Sequence, residues 1–155
     1  MSTFTFSEAS RRRLEGVKPD LLNLCDRALQ LSPIDFGILQ GMRTLEDQAV
    51  LVSVGASQTM DSKHLTGEAI DFAPYWGGRY REEFPFFYLV ADAFKDASLE
   101  LAIRFRWGGA WTEDMWSSVT AQAAQEAYIM KRAAIGSVFF DAAHIELVAE
   151  ATLAA

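Results

Sequence analysis

The sequence predicts an α+β domain, a small mixed or antiparallel sheet flanked by helices. Apolar residues recur at helical spacing in several segments, and short β-prone runs lie between them. Strands and helices do not alternate as regular βαβ units, which argues against a doubly wound parallel sheet. The 155 residues, half of them hydrophobic, suffice for one core that buries about 70% of the unfolded surface. No repeat, low-complexity tract or linker divides the chain, so residues 1–155 are read as a single domain.

Ser7 to Glu15 reads as a short helix with Ser7 as N-cap. Pro19 suits a first helical position, and Leu21, Leu24, Cys25, Ala28 and Leu29 continue one apolar stripe to Leu31. Ser32-Pro33 ends that helix, and Phe36 to Gln40 is a strand closed by Gly41. Thr44 caps a third helix, with Asp47 at the reciprocal position, and Gly55 stops it after Val54. Ser57 to Gly67 reads as loop. Glu68 to Phe72 is a strand that places Ala69 and Asp71 on one face. Pro74 and Gly77-Gly78 mark a turn. Phe87, Val90, Ala91, Phe94, Ala97 and Leu101 define a long core helix from Phe84 to Leu101. Ile103 to Trp107 is a strand broken by Gly108-Gly109, Val119 to Ala134 a helix, and Ala143 to Val148 the last strand.

The formal charge of −7 disfavours nucleic acid, whose phosphates reward clustered Lys and Arg. Arg11-Arg12-Arg13, the one basic cluster, reads as the solvated face of the first helix. Cys25 is the single cysteine, so an internal disulfide and a cysteine zinc cluster are both excluded, and its apolar neighbours assign it to the core. The N-terminus lacks the cationic start and apolar core of a signal peptide. No stretch approaches the roughly 20 apolar residues of a membrane span, so no membrane insertion is expected.

Both histidines of the chain sit at short spacing from carboxylates. His64 precedes Asp71, with Gly67 between them permitting a tight reversal. Asp141 precedes His144, and Glu146 follows on the same strand face. Two imidazoles and one carboxylate are a donor set for a catalytic zinc, which keeps a water in its fourth position. In that reading His64, Asp71 and His144 are ligands and Asp141 is placed to take a proton from the water without ligating. Glu146 is a partner behind His144 or a rival base. Spacing alone leaves the plainer reading open: hydrogen-bonded histidines and ordinary loop carboxylates.

The pattern Ser62-x-His64-x-x-Gly67-x-Ala69-x-Asp71 with a terminal Asp141-x-x-His144 resembles the zinc signature of the D-alanyl-D-alanine carboxypeptidase (VanY-like) metallopeptidases. Their wider group includes lysostaphin-type enzymes and the hedgehog signalling domain. The chain is more closely similar to phage endolysins acting as L-alanyl-D-glutamate peptidases. That likeness runs in order through Val17-Lys18-Pro19-Asp20-Leu21, Leu31 to Phe36, Gln40-Gly41-Met42-Arg43-Thr44, Ser62 to Pro74 and His144 to Val148.

The resemblance implies a hedgehog/DD-peptidase-like fold, one Zn2+ per chain held by His64, Asp71 and His144, and Asp141 as the catalytic carboxylate. It places Arg43 at the substrate, where a guanidinium polarises the scissile carbonyl or grips a carboxylate. Ser62 and Lys63 are substrate contacts or residues that shape the loop. The implied substrate is bacterial peptidoglycan. A monomer without a separate cell-wall-binding domain is expected, held in the host cytoplasm until a holin opens the route to the wall. Two other functions stay open: a D-alanyl-D-alanine carboxypeptidase or dipeptidase, and a non-catalytic zinc-stabilised wall-binding module. The helical stretch between Trp111 and Phe140 departs from the expected shorter connection; a lid, a wall-binding face and plain packing are its alternatives.

Overall fold

A computed structural model describes residues 3–149. Helix α1 (Glu8–Arg13) starts where the Ser7 hydroxyl accepts from Ser10 N. Helix α2 (Pro19–Leu31) has proline in its first turn, where a missing N–H costs nothing. Strand β1 (Asp35–Gln40) leads to α3 (Leu45–Ser53), capped by Thr44 accepting from Asp47 N. Part of the expected loop is a 3₁₀ turn, Lys63–Thr66. Then follow β2 (Ala69–Trp76), β3 (Arg79–Tyr80), α4 (Phe84–Leu101), β4 (Phe105–Trp107), α5 (Ala121–Ala133) and β5 (His144–Leu147).

The five strands form one sheet in the order β1-β2-β5-β4, with β3 pairing β2 as a hairpin, and every pairing is antiparallel. Opposed residues share a face, so the register sorts side chains into two sets. Ile70 faces Ile145, which faces Trp107, and all three are fully buried. Helices α2 and α4 pack on each other and bury Leu21, Leu24, Cys25, Ala28, Val90, Phe94 and Ala97 in the same core. Phe36, Phe72 and Phe94 meet at its centre with ring centroids 5.5–5.9 Å apart. The other face carries Asp71 opposite His144, Ala69 opposite Glu146 and Glu146 opposite Arg106.

Differences from expectation cluster around β2. Pro74 lies inside that strand, not in a turn. It is tolerated because β5 has ended by this point and Pro74 offers only its carbonyl, which accepts from Arg81 N. The turn is Gly77-Gly78, both glycines at positive φ. Strand β4 starts at Phe105, two residues after the expected Ile103, and α5 starts after Thr120, which caps it, leaving Val119 outside. Within the unusual stretch 112–140, α5 is a packing element. It buries Ala121, Ala124, Gln125 and Tyr128; Tyr88 of α4 donates to Gln125, and Asp92 accepts from Ala121 N.

Gly67 ends the 3₁₀ turn at φ +74°, and its carbonyl accepts from Lys18 N at 2.9 Å. A Cβ there would stand 2.4 Å from the Gly16 carbonyl oxygen. Gly67→Ala is therefore expected to lose more than about 2 kcal/mol, from left-handed strain plus a backbone clash. Denaturant unfolding of the two proteins measures it.

Candidate metal centre

His64 is oriented from the backbone. The Ser62 hydroxyl accepts from His64 N at 3.3 Å, and the imidazole Nδ1 lies 2.8 Å from the Gly41 carbonyl. A carbonyl only accepts, so Nδ1 carries a proton and Nε2 is the nitrogen turned toward Asp71. Gly41 itself must lack a side chain, because a Cβ would fall 2.0 Å from the Arg13 carbonyl oxygen. The His64 carbonyl accepts from Arg43 N at 2.9 Å, tying the turn to the entry of α3.

His144 is oriented from a side chain. Its Nε2 lies 2.9 Å from Glu146 Oε1, and its Nδ1 lies 3.4 Å from Asp71 Oδ1. The same Asp71 oxygen lies 3.5 Å from His64 Nε2. One donor atom from each of His64, Asp71 and His144 thus falls within 4.8 Å of the others, a group that could hold a metal ion. Asp71 Oδ1 is buried and has no hydrogen-bond partner among the described residues. A buried oxygen flanked by two imidazole nitrogens fits a cation between them, since each imidazole spends its other nitrogen on a protein acceptor. Three protein donors leave a coordination position open, as a catalytic zinc site requires.

Charge reinforces the arrangement. Burial pushes the Asp71 carboxyl up, but the two imidazoles outweigh it and hold the group below the ordinary range. Burial pushes His144 down, but the carboxylates of Asp71 and Glu146 beside its two nitrogens lift it to about 9. Burial and the nearby Asp71 charge raise Asp141. Burial opposes ionisation of Glu146, yet His144, Lys63 and Arg106 together hold it low.

Asp141 stands beside the three donors, its Oδ2 4.0 Å from His144 Nδ1. Its backbone is held at both ends: Asp141 N donates to Gly108 O at 2.9 Å, and Asp141 O accepts from His144 N at 3.0 Å. Gly108 must lack a side chain, because a Cβ would sit 2.1 Å from that carbonyl oxygen. Glu146 lies behind His144, with Oε1 on Nε2 and Oε2 at 3.4 Å from both Lys63 Nζ and Arg106. It faces the nitrogen turned away from the donor group.

The centre opens into a cleft of about 700 Å³. Arg43 and Ser62 line it, along with Lys63, whose ammonium also donates to the Leu147 carbonyl. Arg43 makes no ion pair among the described residues. It donates to Gln48 Oε1 at 2.5 Å and Gln40 Oε1 at 2.7 Å, and its Nε is buried without a partner. Of the clustered tryptophans, Trp107 is core, Trp116 carries the Arg104 guanidinium on its ring, and Trp111 alone lines the cleft. Its ring lies 5.0 Å from His144 and stacks on Phe139. Arg106, Gln40 and Gln48 also belong to this neighbourhood and were not expected from the sequence. Arg106 alone had a signal: it is the polar residue between Phe105 and Trp107 in a strand otherwise buried.

A sequence profile of phage L-alanyl-D-glutamate peptidases matches residues 1–148. The L-alanyl-D-glutamate peptidase of Escherichia phage T5 is 43% identical over 113 residues, covering 70% of this chain and 82% of that protein. One from Listeria phage A118 is 37% identical over 84 residues, 51% of this chain but only 27% of its own length. Among solved structures, the Serratia marcescens L-Ala D-Glu endopeptidase ChiX matches with a TM-score of 0.72 at 28% identity, covering 93% of this chain and 90% of its own. The vancomycin resistance D,D-dipeptidase VanXYg matches at 0.50 with 17% identity, over 86% of this chain and 51% of its own, a likeness of fold alone.

The charges set a pH response in protein stripped of metal. His144 has a folded value of about 9 against an ordinary 6.5, so its pairing stabilises fully below 6.5 and is lost as pH rises through about 9. Asp71 acts at the other end: its contribution is present above the ordinary 3.8 and lost as pH falls below it. Chelator-treated protein should therefore melt higher near the ordinary imidazole value than near pH 9. A cation needs His144 Nδ1 bare, so metal uptake at neutral pH should release a proton and tighten as pH rises. Calorimetric metal titration in buffers of different ionisation enthalpy checks this; uptake without proton release contradicts it.

Proposed function

The chain belongs to the phage L-alanyl-D-glutamate peptidase family, and on that footing we propose that it hydrolyses the L-alanyl-D-glutamate bond of peptidoglycan stems with one zinc ion per chain. The observation that carries the reading is the buried, unpartnered Asp71 oxygen between His64 Nε2 and His144 Nδ1, with Asp141 alongside. Zinc is preferred for a site with two imidazoles.

His64, Asp71 and His144 would hold the ion, which supplies Lewis acidity toward the scissile carbonyl and toward a water. Asp141 would take a proton from the attacking water and return it to the leaving glutamyl amine. Its raised pKa suits both halves of the transfer. Arg43 offers a positive charge fixed by Gln40 and Gln48 before substrate arrives, so stabilising the oxyanion needs no rearrangement. Glu146 keeps His144 in the tautomer that leaves Nδ1 free. Ser62 shapes the turn carrying His64, with its outer face toward substrate, and Lys63 braces Glu146.

No helix among the described residues is long and apolar enough to cross a membrane. The protein is read as a monomeric peptidase module held in the host cytoplasm until a holin lesion admits it to the wall.

The deciding experiment digests purified Gram-negative peptidoglycan, with chelator and zinc add-back, and reads released stems by mass spectrometry. New N-terminal D-glutamate, lost with chelator and restored by zinc, is the expected result; free D-alanine would assign a carboxypeptidase instead. Asp141→Ala should abolish turnover while zinc still binds, whereas His64→Ala should lose zinc, as metal analysis after dialysis will report. Glu146→Ala should weaken zinc about 10–100-fold, measured by competition with a chromophoric chelator.

A further inference from the structure

The cleft holds a cation that the mechanism above does not use. Arg106, at the centre of β4, lines the cleft with its side chain about one third exposed, at 31%. Its one hydrogen bond or ion pair among the described residues runs from a terminal nitrogen to Glu146 Oε2 at 3.4 Å. Nε and the second terminal nitrogen have no partner among the described residues, so the side-on edge of the guanidinium is open. The other two cations of the cleft are differently placed. Lys63 spends its ammonium on the Leu147 carbonyl and on Glu146. Arg43 has both terminal nitrogens engaged by Gln48 and Gln40.

Charge balance points the same way. Lys63 and Arg106 approach the same Glu146 oxygen at 3.4 Å, so that one carboxylate cannot neutralise both and Arg106 keeps part of its charge for the cleft. The sheet order fixes where that charge stands. Arg43 follows β1 at one end of the sheet and Arg106 sits on β4 at the other, with Asp71 of β2 and His144 of β5 between them. A stem laid across the strands would put its scissile amide over the centre, with Arg43 on one side and Arg106 on the other.

A glutamyl residue within a peptide carries two carboxyl groups, and only one of them enters the next peptide bond. The other is an anion close to the scissile nitrogen. We propose that Arg106 is a specificity residue that grips this free glutamyl carboxylate through Nε and its open terminal nitrogen, a bidentate contact that Lys63 cannot make. The inference rests on the L-alanyl-D-glutamate activity proposed above.

The test compares muropeptides with the free glutamyl carboxylate, with the corresponding carboxamide, and with the carboxylate kept but the stem's C-terminus amidated. Each is cleaved by wild type, Arg106→Gln and Arg106→Lys. Wild type should favour the free glutamyl carboxylate over its carboxamide by roughly 10–100-fold in kcat/KM, the worth of a hydrogen-bonded charge. Arg106→Gln should bring that ratio near one, and Arg106→Lys should fall between. Because the readout is a ratio within each variant, a general loss through Glu146 and His144 cancels. If the C-terminal amide instead carries the Arg106-dependent penalty, the carboxylate gripped is the terminal one and the glutamyl assignment is overturned. Ratios unchanged by both substitutions overturn the inference while leaving the activity standing. Wild type that cleaves none of the muropeptides overturns the activity and this inference together.

Discussion

The antiparallel register of β2 against β5 sets Asp71 directly opposite His144, and the group that could hold a metal ion comes together only because that register holds. Side chains alternate along a strand, so a slip of one residue would turn Asp71 or His144 into the core. Several contacts pin the pairing from both ends. Phe72 N donates to Ala143 O at 2.9 Å and Leu147 N to Glu68 O at 2.8 Å, while Gly108 N, just past β4, holds the other side of β5 through His144 O at 2.9 Å. Ile70 and Ile145, fully buried on the opposite face, make the alternative register expensive. The core thus positions the site by excluding every other alignment.

Around that register the two imidazoles are prepared in different ways. His64 gives its Nδ1 proton to a backbone carbonyl, and His144 gives its Nε2 proton to a carboxylate. The free nitrogens therefore differ in name but converge on one Asp71 oxygen. The carboxylate behind His144 is itself steadied by Lys63 and Arg106, so positive charge at the cleft wall reaches the centre through Glu146. A backbone carbonyl cannot be tuned by a neighbouring cation in this way, which makes the His144 side the more sensitive of the two.

The stretch between Trp111 and Phe140 does two separate jobs. Helix α5 extends the core along α4, with alanines allowing close approach and Tyr128 donating to the Phe139 carbonyl. That bond anchors the chain where it returns to the cleft. Phe139 then stacks on Trp111, which lies against His144. An element that is structural through most of its length thereby ends as one wall of the site, and the apolar wall keeps water away from one side of the imidazole.

Much of this was written locally. Ser7 and Thr44 sit as caps where their residue types and spacing placed them, and the apolar periods of α2 and α4 mark helices whose observed spans are those expected. The pairing of each histidine with a nearby carboxylate pointed to His64, Asp71 and His144, which the fold brings within 4.8 Å of one another, because a chain with two histidines offers few ways to build such a group. What the sequence could not decide depends on partners far away along the chain. Pro74 reads as a turn until β5 is known to end short of it. Glu146 reads equally as base or brace until its oxygens are seen on His144 Nε2 and on the cations. Arg106 reads as an ordinary strand arginine until β4 is laid beside β5. Helix caps and apolar periods are short-range and leave their mark in neighbouring residues. Strand register and the hydrogen bonds that choose an imidazole tautomer join residues as distant as His64 and Gly41, or Arg106 and Glu146, so only the folded chain determines them.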